Sequence, residues 1–573
     1  MEKEIRYLRD TSKRPGVAAP GRFCPFRARY RRRQQYYYMI KIILSKDKFQ
    51  YDIHSLVKAF FQSESVEAVV YDLLRLTEYN KELDDKTTTI YRSNKGDISI
   101  SIYRTDNNDI TFIVQLPDVS PEPEIAGHSA ARPNASTDGS AESASTEKNT
   151  VKQMLYEALC AITGRTLPWG ALTGIRPTKI ATQMLSRGGN DNTIIDYLKT
   201  VHFVSAEKAA LSLEIAHRER AVLSSRDFEN GYSLYVGIPF CPTRCSYCSF
   251  AAYPMRVPGR TDPADGHTEY LKSRYASRVE AYMDALEKEL TETSALMRGV
   301  RLDTVYIGGG TPTALPHAQL RRLLRFLRET FDFRDVREFT VEAGRPDSIL
   351  DAIGKLATLR EFGVDRVCVN PQTFSQKTLD RIGRGHTVEQ TVEAFHLTRD
   401  AGFDNINMDI ILGLPGETEE DVSHTIEEIG KLKPDDLTIH SLAIKRGSKL
   451  AEENEHTGDN TNMSRIAEEG ACGMGLLPYY LYRQKNMIGN MENTGFARPG
   501  KEGLTNILGM EEVHSIVACG AGAVTKRVWN VPEGHPDRGL IKRCGNVREL
   551  DQYIARVDEM SARKRALFSE GAE

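Results

Sequence analysis

Strand-like and helix-like segments alternate six times between residue 232 and about residue 445. The strand-like runs are short and apolar, and the segments between them show the 3.6-residue periodicity of amphipathic helices. Repeated strand–helix units imply a parallel sheet with right-handed crossovers. We therefore predict an α/β fold with a partial (β/α)6 barrel over residues 231–445, whose strands are SLYVGI, DTVYIGG, REFTVEA, DRVCVN, NINMDIIL and DDLTIH.

Polar or glycine-rich residues stand at the ends of several predicted strands. Three cysteines follow the first strand, Gly308 to Thr311 follow the second, Glu342 ends the third and Gln372 follows the fourth. In barrels of this kind, active sites lie at the C-terminal ends of the strands. The sequence therefore predicts a functional site at that edge of the sheet.

The remaining chain divides by composition. Residues 39–117 combine a helix-like stretch with alternating runs and predict a small α+β domain. Residues 118–150 are rich in Ser, Ala, Pro, Glu and Gly without a bulky core, which is typical of a flexible linker. Residues 151–230 show helical periodicity, interrupted by the loop LPWGALTGIRPTK. Residues 446–573 are predicted to form an α-rich C-terminal region that covers the substrate.

The N-terminal residues 1–38 are strongly basic, with eleven Lys and Arg against three Asp and Glu. Such a segment could contact nucleic acid through phosphates and stacked aromatic rings. A disordered extension before Met39 is the simpler interpretation, so we expect no nucleic-acid partner. No run approaches the roughly 18 apolar residues of a membrane-spanning helix, and no apolar block marks a secretory signal. These features favour a cytoplasmic protein without a membrane partner, and we expect a monomer.

The cysteines are few and unevenly placed, nine in all, which does not resemble a disulfide framework. Cys241, Cys245 and Cys248 form a CxxxCxxC pattern directly after the first barrel strand. Structural zinc normally takes four protein ligands, so a zinc site would need a distant histidine such as His386 or His440. A four-iron cluster held by three thiolates would instead keep one iron open for a ligand. We favour the cluster. Cys368 and Cys519 are expected to be buried structural residues.

Several motifs together resemble one known family. CxxxCxxC with Tyr247 before its last cysteine, GGGTPT at residues 308–313, VEAGRPD, VNPQTF, RIGRGHT and MDIILGLPGET resemble the radical S-adenosylmethionine (SAM) superfamily. Within it, they resemble the oxygen-independent coproporphyrinogen III oxidase-like family. PWGALTGIRPTK and YRQKN, outside the barrel, resemble the longer branch of coproporphyrinogen dehydrogenases.

The resemblance implies a [4Fe-4S] cluster on Cys241, Cys245 and Cys248, with S-adenosyl-L-methionine at its open iron. It also implies a set of cofactor contacts. Gly309 and Gly310 would let the backbone approach the methionyl ammonium, although a plain strand-to-helix turn would also use glycine. Glu342 and Asp409 would face cationic or ribose groups, or be rim and strand-end residues. The implied cofactor-binding residues are Tyr235, Tyr247, Gly309, Gly310, Thr311, Glu342, Gln372, Arg384 and Asp409.

Some of these residues have other interpretations that the sequence leaves open. Arg384 could fork onto a carboxylate or form a surface ion pair. Tyr235 could equally be a core aromatic residue, while Tyr247 is expected to pack on the adenine. His386, in RGHT, is the one histidine that we single out as a candidate catalytic residue.

The implied reaction is the decarboxylation of two propionates of coproporphyrinogen III to give protoporphyrinogen IX, with an unidentified electron donor. Four propionates demand cations, for which Arg446, Arg483 and Lys485 are candidates. The family's oxidases carry a fourth cysteine where this chain has Phe250, and haem-trafficking branches also have Phe there. The alternative function is therefore a haem-binding carrier that retains the cluster and the SAM fold.

Overall fold

The computed structural model describes most of the chain from Met39 onward. The described residues are 39–570, except for 62–63, 72–74, 76–78, 80–82, 84–87, 96–97, 106–108, 117–138, 251, 256–265, 351–353, 446, 453–459, 485–486, 533–534 and 536. The predicted basic extension, most of the predicted linker, Arg446 and Lys485 lie outside them. Among the helices described, none combines the length and the apolar character that crossing a bilayer requires.

All six predicted barrel strands are present and parallel to their neighbours. They alternate with helices, as the periodicity predicts, and nearly all their side chains are buried on both faces, which suits a sheet covered by helices. In chain order the strands are β6 (Gly231–Ile238), β9 (Arg301–Gly309), β10 (Glu338–Glu342), β11 (Arg366–Cys368), β12 (Ile406–Leu412) and β13 (Asp436–Ser441).

The sheet does not close on itself. Its six parallel strands are extended at both edges by strands from the C-terminal region, which are β14 (Leu477–Tyr482), β15 (Asn493–Ala497), β16 (Ser515–Cys519), β17 (Val524–Val528) and β18 (Ile541–Gly545). The strand order is β14-β15-β13-β12-β11-β10-β9-β6-β16-β17-β18. The prediction of an α-rich tail over 446–573 is therefore incomplete. Runs as short as SIVAC gain their strand character from partners far away in sequence, such as β6.

The N-terminal unit is a five-stranded sheet covered by helices, and its core is a cluster that includes Ile42, Phe112 and Leu155. Its strands are β1 (Met39–Leu44), β2 (Ser65–Val70), β3 (Thr88–Lys95), β4 (Ile98–Arg104) and β5 (Ile110–Gln115). They lie in the order β2-β1-β5-β4-β3. The prediction found β1, β4 and β5 but not β2 or β3.

The predicted boundary at residue 150 falls inside one helix, Gly139–Thr163. Its residues 151–163 pack on the N-terminal sheet through Val151, Leu155 and Leu159. The preceding run GSAESASTEKNT contains no proline, so a helix nucleated by the packed segment can propagate through it. The linker prediction is thus wrong for residues 139–150.

The two-residue strands β7 (Phe240–Cys241) and β8 (Tyr253–Pro254) form a separate ribbon.

The helices that follow the strands lie against the sheet and around its edges. The helices are α1 (Gln50–Phe60), α2 (Gly139–Thr163), α3 (Lys179–Ser186), α4 (Asp191–Val201), α5 (Ala206–Leu223), α6 (Gly266–Leu296), α7 (His317–Thr330), α8 (Pro346–Leu350), α9 (Gly354–Glu361), α10 (Gln376–Arg381), α11 (Val388–Asp400), α12 (Glu419–Leu432), α13 (Lys449–Glu452), α14 (Thr461–Gly473), α15 (Leu504–Glu511), α16 (Leu550–Ala555) and α17 (Val557–Ser569).

Candidate active site

The cysteine loop leaves the C-terminal end of β6 and is tied to the rest of the sheet at several points. Cys241 lies in the ribbon of β7 and β8. The Ser246 N–H donates to the Ile382 carbonyl at 2.9 Å, and the Ser246 carbonyl accepts from the Leu450 N–H at 3.2 Å. These bonds hold the loop over the edge where the parallel strands end.

The three thiols of the loop are free, and Cys245 is buried while the other two are half-buried. Burial raises the pKa of Cys241 to about 11 and also raises the pKa of Cys248. Both thiols are therefore protonated at neutral pH until a metal displaces the proton. Two buried guanidiniums, those of Arg345 and Arg384, lie 3.9 Å from the Cys245 sulfur.

Three thiols on one loop, with cations beside them, fit a thiolate-ligated iron–sulfur cluster with one open corner. Among the described residues, no group of three or more His, Cys, Asp or Glu side chains is arranged to hold a single metal ion.

The glycine-rich turn after β9 packs directly against the start of the cysteine loop. The Gly310 N–H donates to the Ile238 carbonyl and the Thr311 N–H to the Phe240 carbonyl, both at 2.7 Å. The Thr311 hydroxyl lies 3.5 Å from the Cys241 sulfur. A Cβ on Gly310 would lie 2.5 Å from the Phe240 carbonyl oxygen, and Gly309 has φ +104°. The chain's own packing therefore explains both glycines, and their contact with the methionyl ammonium stays a prediction.

Glu342 ends β10 and reaches towards the second strand of the barrel. Its carboxylate accepts a hydrogen bond from the Tyr306 hydroxyl at 2.6 Å. Burial, and to a lesser degree the charge of Asp409, raise the pKa of Glu342 to about 7, although the hydrogen bond from Tyr306 opposes the rise. Glu342 is therefore poised to gain or lose its proton near neutral pH, and a cation beside it would favour the charged form.

Gln372, four residues beyond β11, is joined through the backbone to Asp409, which lies in the middle of β12 rather than at its end. Gln372 has φ 71° and its N–H donates to the Asp409 carbonyl at 2.9 Å. The Gln372 side-chain oxygen is buried and has no hydrogen-bond partner among the described residues. A buried acceptor of this kind is expected to meet a donor from a bound ligand.

The Asp409 carboxylate contacts Asn407 and His440. It accepts from the Asn407 amide at 2.8 Å and lies 3.8 Å from His440 Nε2. Burial alone would raise the pKa of Asp409, but its bonds to His440 and Asn407 outweigh burial and leave the pKa below its ordinary value. Asp409 is therefore an ionised acceptor, as ribose hydroxyls require.

Arg384 is buried rather than paired at the surface. It donates to the Tyr247 hydroxyl at 2.9 Å and to the Gly344 carbonyl at 2.8 Å, and it also bonds the Asn370 carbonyl. The surface ion pair that the sequence left open is therefore wrong. Arg384 connects the cysteine loop to the ends of β10 and β11.

His386 is buried, and neither ring nitrogen has a hydrogen-bond partner among the described residues. Burial, together with the charges of Arg384 and Arg345, lowers its pKa to about 2. The imidazole is therefore neutral at physiological pH.

The two aromatic candidates occupy different surroundings. The Tyr235 ring stacks on Tyr306 at 6.0 Å, inside the barrel, and burial raises the pKa of Tyr235. Tyr247 packs against a small apolar cluster that includes Leu379 and Ile382. Contact of Tyr247 with an adenine remains a prediction.

The structure brings the predicted residues to one end of the sheet through direct contacts, and it adds residues that the sequence reasoning missed. Tyr306 could have been found, because it shares the inward face of β9 with Gly308. Arg345 lies within the quoted VEAGRPD motif. The sequence suggests His440 only as a zinc ligand, whereas the structure places it 3.8 Å from Asp409. Arg483, a candidate for binding propionates, is buried and donates to the Leu172 carbonyl at 2.6 Å, so it is a structural residue instead.

The class of protein follows from the family model that matches residues 235–429, which is that of the radical SAM superfamily. One relative extends well beyond that segment, the oxygen-independent coproporphyrinogen-III oxidase-like protein HemZ of Bacillus subtilis. It is 37% identical over 427 residues, covering 73% of this chain and 80% of the relative. The chain therefore belongs to the family of oxygen-independent coproporphyrinogen-III oxidase-like radical SAM proteins.

Other relatives match a shorter part of the chain. The heme chaperone HemW of B. subtilis is 34% identical over 214 residues, covering 37% of this chain and 51% of the relative. The oxygen-independent coproporphyrinogen III oxidase of Escherichia coli is 30% identical over 215 residues. This match covers 38% of this chain and 42% of the relative. This chain therefore matches only about half the length of HemW and of the E. coli oxidase. The solved structure of the E. coli oxidase HemN has a TM-score of 0.43 and 25% identity, covering 60% of this chain and 73% of that chain.

Membership of the family implies a [4Fe-4S] cluster and S-adenosylmethionine as cofactors. The thiol donors, the flanking guanidiniums and the unpartnered Gln372 oxygen all fit that pair of groups.

Proposed function

We propose that this protein is a radical SAM oxidoreductase that decarboxylates two propionates of coproporphyrinogen III to give protoporphyrinogen IX. The observation that carries the proposal is the 37% identity with HemZ, because it extends over 427 residues and so includes regions outside the radical SAM segment. The reaction itself comes from the name of the E. coli relative, which matches 215 residues.

The cofactors would supply the hydrogen-abstracting radical when bound, and the chain supplies position and charge. Cys241, Cys245 and Cys248 would hold the cluster. Asp409, as an ionised acceptor, would take ribose hydroxyl donors, while the Gln372 oxygen would take a further donor. Glu342, with its pKa near 7, would ionise beside the cationic part of the cofactor.

The barrel interior offers an aromatic wall beside these residues. Tyr480 and Tyr482 of β14 stack at 6.2 Å and an interplanar angle of 11°. Because Tyr480 is buried, the half-buried Tyr482 is the ring of this pair that would present apolar surface to a macrocycle. Arg446 and Lys485 remain the candidate propionate contacts, and both lie outside the described residues.

The test is anaerobic incubation of the iron-loaded protein with coproporphyrinogen III, S-adenosylmethionine and a reductant. We expect two carbon dioxide molecules for each protoporphyrinogen IX formed. A control in which Cys245→Ser abolishes iron loading should release none. Tight haem binding without any carbon dioxide release would contradict the proposal.

A haem carrier is the second candidate, favoured by the 34% identity with HemW and by the phenylalanine at position 250. His386→Ala separates the two functions. Because His386 is only 2% exposed and lies among Arg384 and Arg345, we expect the variant to lose S-adenosylmethionine binding and cleavage while its haem affinity stays within about twofold. Loss of haem affinity with intact cofactor cleavage would favour the carrier.

A further inference from the structure

The outer side of the cysteine loop carries a patch that the proposed reaction does not use. Phe250 is 60% exposed at its centre. Three cations from different segments of the chain lie in this region: Lys445 faces the Phe250 ring, Arg548 contacts the preceding residue, and Arg244 contacts the segment that follows Lys445. We call these four residues the cationic rim. Tyr247 of the same loop packs inward, so the loop presents one face to the barrel and the other to solvent.

Contacts on the loop hold the three cations in place. Lys445 Nζ lies 5.8 Å from the centre of the Phe250 ring. Arg548 donates to the Ser249 carbonyl, and Arg244 donates to the Gly447 carbonyl at 2.9 Å. The guanidiniums are thus anchored by neutral carbonyls, and neither forms an ion pair with a carboxylate of the described residues.

Two carboxylates that follow Arg548 along the described chain are already engaged. Glu549 accepts from the Gln552 N–H at the start of α16 and from the Tyr253 hydroxyl. Asp551 pairs with Arg278. The rim therefore keeps a net positive charge around an exposed aromatic ring. Aromatic and arginine side chains are the residues most enriched at protein interfaces, and complementary charge speeds encounter with a partner.

The rim lies directly over one of the three thiols. Phe250 follows Cys248 by two residues on the same loop, and Arg548 contacts the carbonyl of Ser249, which lies between them. A partner seated on Phe250 would thus approach the cluster from outside, without entering the barrel.

We propose that the cationic rim is the docking surface of a small acidic one-electron carrier protein that reduces the cluster. The carrier loses one electron and the cluster gains it, so the step requires no bond change and no proton. This inference rests on the [4Fe-4S] cluster and not on the identity of the substrate. The docking proposal can therefore fail while the porphyrinogen proposal stands, and the porphyrinogen proposal can fail while the docking proposal stands.

The test uses the full chain with its cluster and a reduced flavodoxin as the acidic carrier. The variant is Lys445→Glu with Arg548→Glu. The matched control is Lys431→Glu with Arg465→Glu, which reverses two exposed cations on α12 and α14, away from the loop. Bleaching of the cluster absorbance in an anaerobic stopped-flow instrument gives the rate. Photoreduced 5-deazariboflavin serves as an uncharged small reductant that needs no docking surface.

For the rim variant we expect the flavodoxin-dependent rate to fall about tenfold or more at low ionic strength, and to lose its dependence on salt. The rate with deazariboflavin and the rates of the control variant should stay within about twofold of the parent. Phe250→Ala, which changes no charge, should also slow flavodoxin and not deazariboflavin.

Binding of oxidised flavodoxin to the iron-free protein gives a readout that does not depend on the cluster. We expect the rim variant to weaken this binding about tenfold and the control to leave it unchanged. Three outcomes would overturn the proposal. The rate of cluster reduction by flavodoxin could be unchanged in the rim variant, it could fall equally in the control variant, or reduction by deazariboflavin could slow as much as reduction by flavodoxin. A raised KM for the porphyrinogen with normal reduction by flavodoxin would instead assign the rim to the substrate.

Discussion

At the scale of single residues, the site depends on close backbone approach and on buried charge. Gly310 allows the turn after β9 to contact the loop that carries the cysteines. Glu342 and Asp409 are both buried carboxyls, but their pKa values move in opposite directions because only Asp409 has His440 beside it. Neighbours, rather than residue type, therefore decide which carboxyl is charged.

Gly310→Ala should disrupt the cysteine loop. The added Cβ would lie 2.5 Å from the Phe240 carbonyl oxygen, so the backbone must move and the two 2.7 Å hydrogen bonds must lengthen. We expect a loss of about 2–3 kcal/mol in the free energy of unfolding and at least a halving of the iron bound after reconstitution. Gly174→Ala is the control, because a Cβ added there would meet no neighbouring atom within 4 Å. Normal iron loading in Gly310→Ala would contradict the role of this contact.

Glu342→Gln should change how stability depends on pH. The native protein keeps a proton on Glu342 up to about pH 7, whereas the unfolded chain releases it near the ordinary pKa of 4.5. The contribution of Glu342 to the free energy of unfolding therefore falls as the pH rises from about 4.5 through 7. Urea unfolding at pH 5 and pH 8 should show that the glutamine variant gains stability relative to the parent at the higher pH. Glu329→Gln, at an exposed position on α7, should show no such difference.

At the scale of elements, the six parallel strands were readable from the sequence and their outer neighbours were not. Runs such as DTVYIGG and NINMDIIL are long, apolar and bounded by helical periodicity, so local signals suffice. By contrast, β16 is only five residues long and pairs with β6, almost three hundred residues earlier. No local pattern encodes a partner at that distance. The loop and turn residues around β17 and β18 make the strand pattern of these two segments still harder to recognise.

A buried polar network fastens the last helix to β16, the strand beside β6. Lys564 Nζ donates to Glu289 at 2.7 Å and to the Ala518 carbonyl at 3.1 Å. Glu289 also accepts from the Tyr553 hydroxyl at 2.6 Å. These contacts join α6, α16 and α17 to one another and to the strand beside the barrel.

Lys564→Met should therefore be costly. Removing the ammonium leaves the carboxylate of Glu289 buried without its cation, at a cost of about 3–5 kcal/mol in the free energy of unfolding. Lys542→Met removes a partner from an exposed pair with Glu570 and should cost less than about 1 kcal/mol. Denaturant titration of both variants checks the difference, and similar losses for the two would refute it.

At the scale of the whole molecule, the segment that the sequence set apart as 151–230 is divided between two neighbours. Its first helix, α2, packs into the N-terminal core. Its later helices form a cluster that includes Leu198, Leu213 and Leu481 of β14, and so dock on the outer strand of the barrel. Sequence periodicity revealed the helices, but the partner of each depended on apolar faces that only tertiary packing brings together.

The loop LPWGALTGIRPTK secures this docking through Trp169. Its indole N–H donates to Glu492 at 2.6 Å, and Glu492 also pairs with Lys208 of α5. Trp169→Phe removes the donor but keeps an aromatic ring, so we expect a loss of about 1–3 kcal/mol and faster tryptic cleavage within residues 179–223. Trp529→Phe, at the other buried tryptophan, controls for the smaller ring and should leave that cleavage rate unchanged.

The placement of β16 also bears on the order in which the chain is made. A ribosome releases Cys241, Cys245 and Cys248 long before it releases residues 515–519, which flank β6 in the finished sheet. Until then, the strand that leads into the cysteine loop has only one of its two neighbours. If an iron–sulfur cluster is inserted before translation ends, β6 is paired with β9 alone. If it is inserted afterwards, β6 is paired with both β9 and β16.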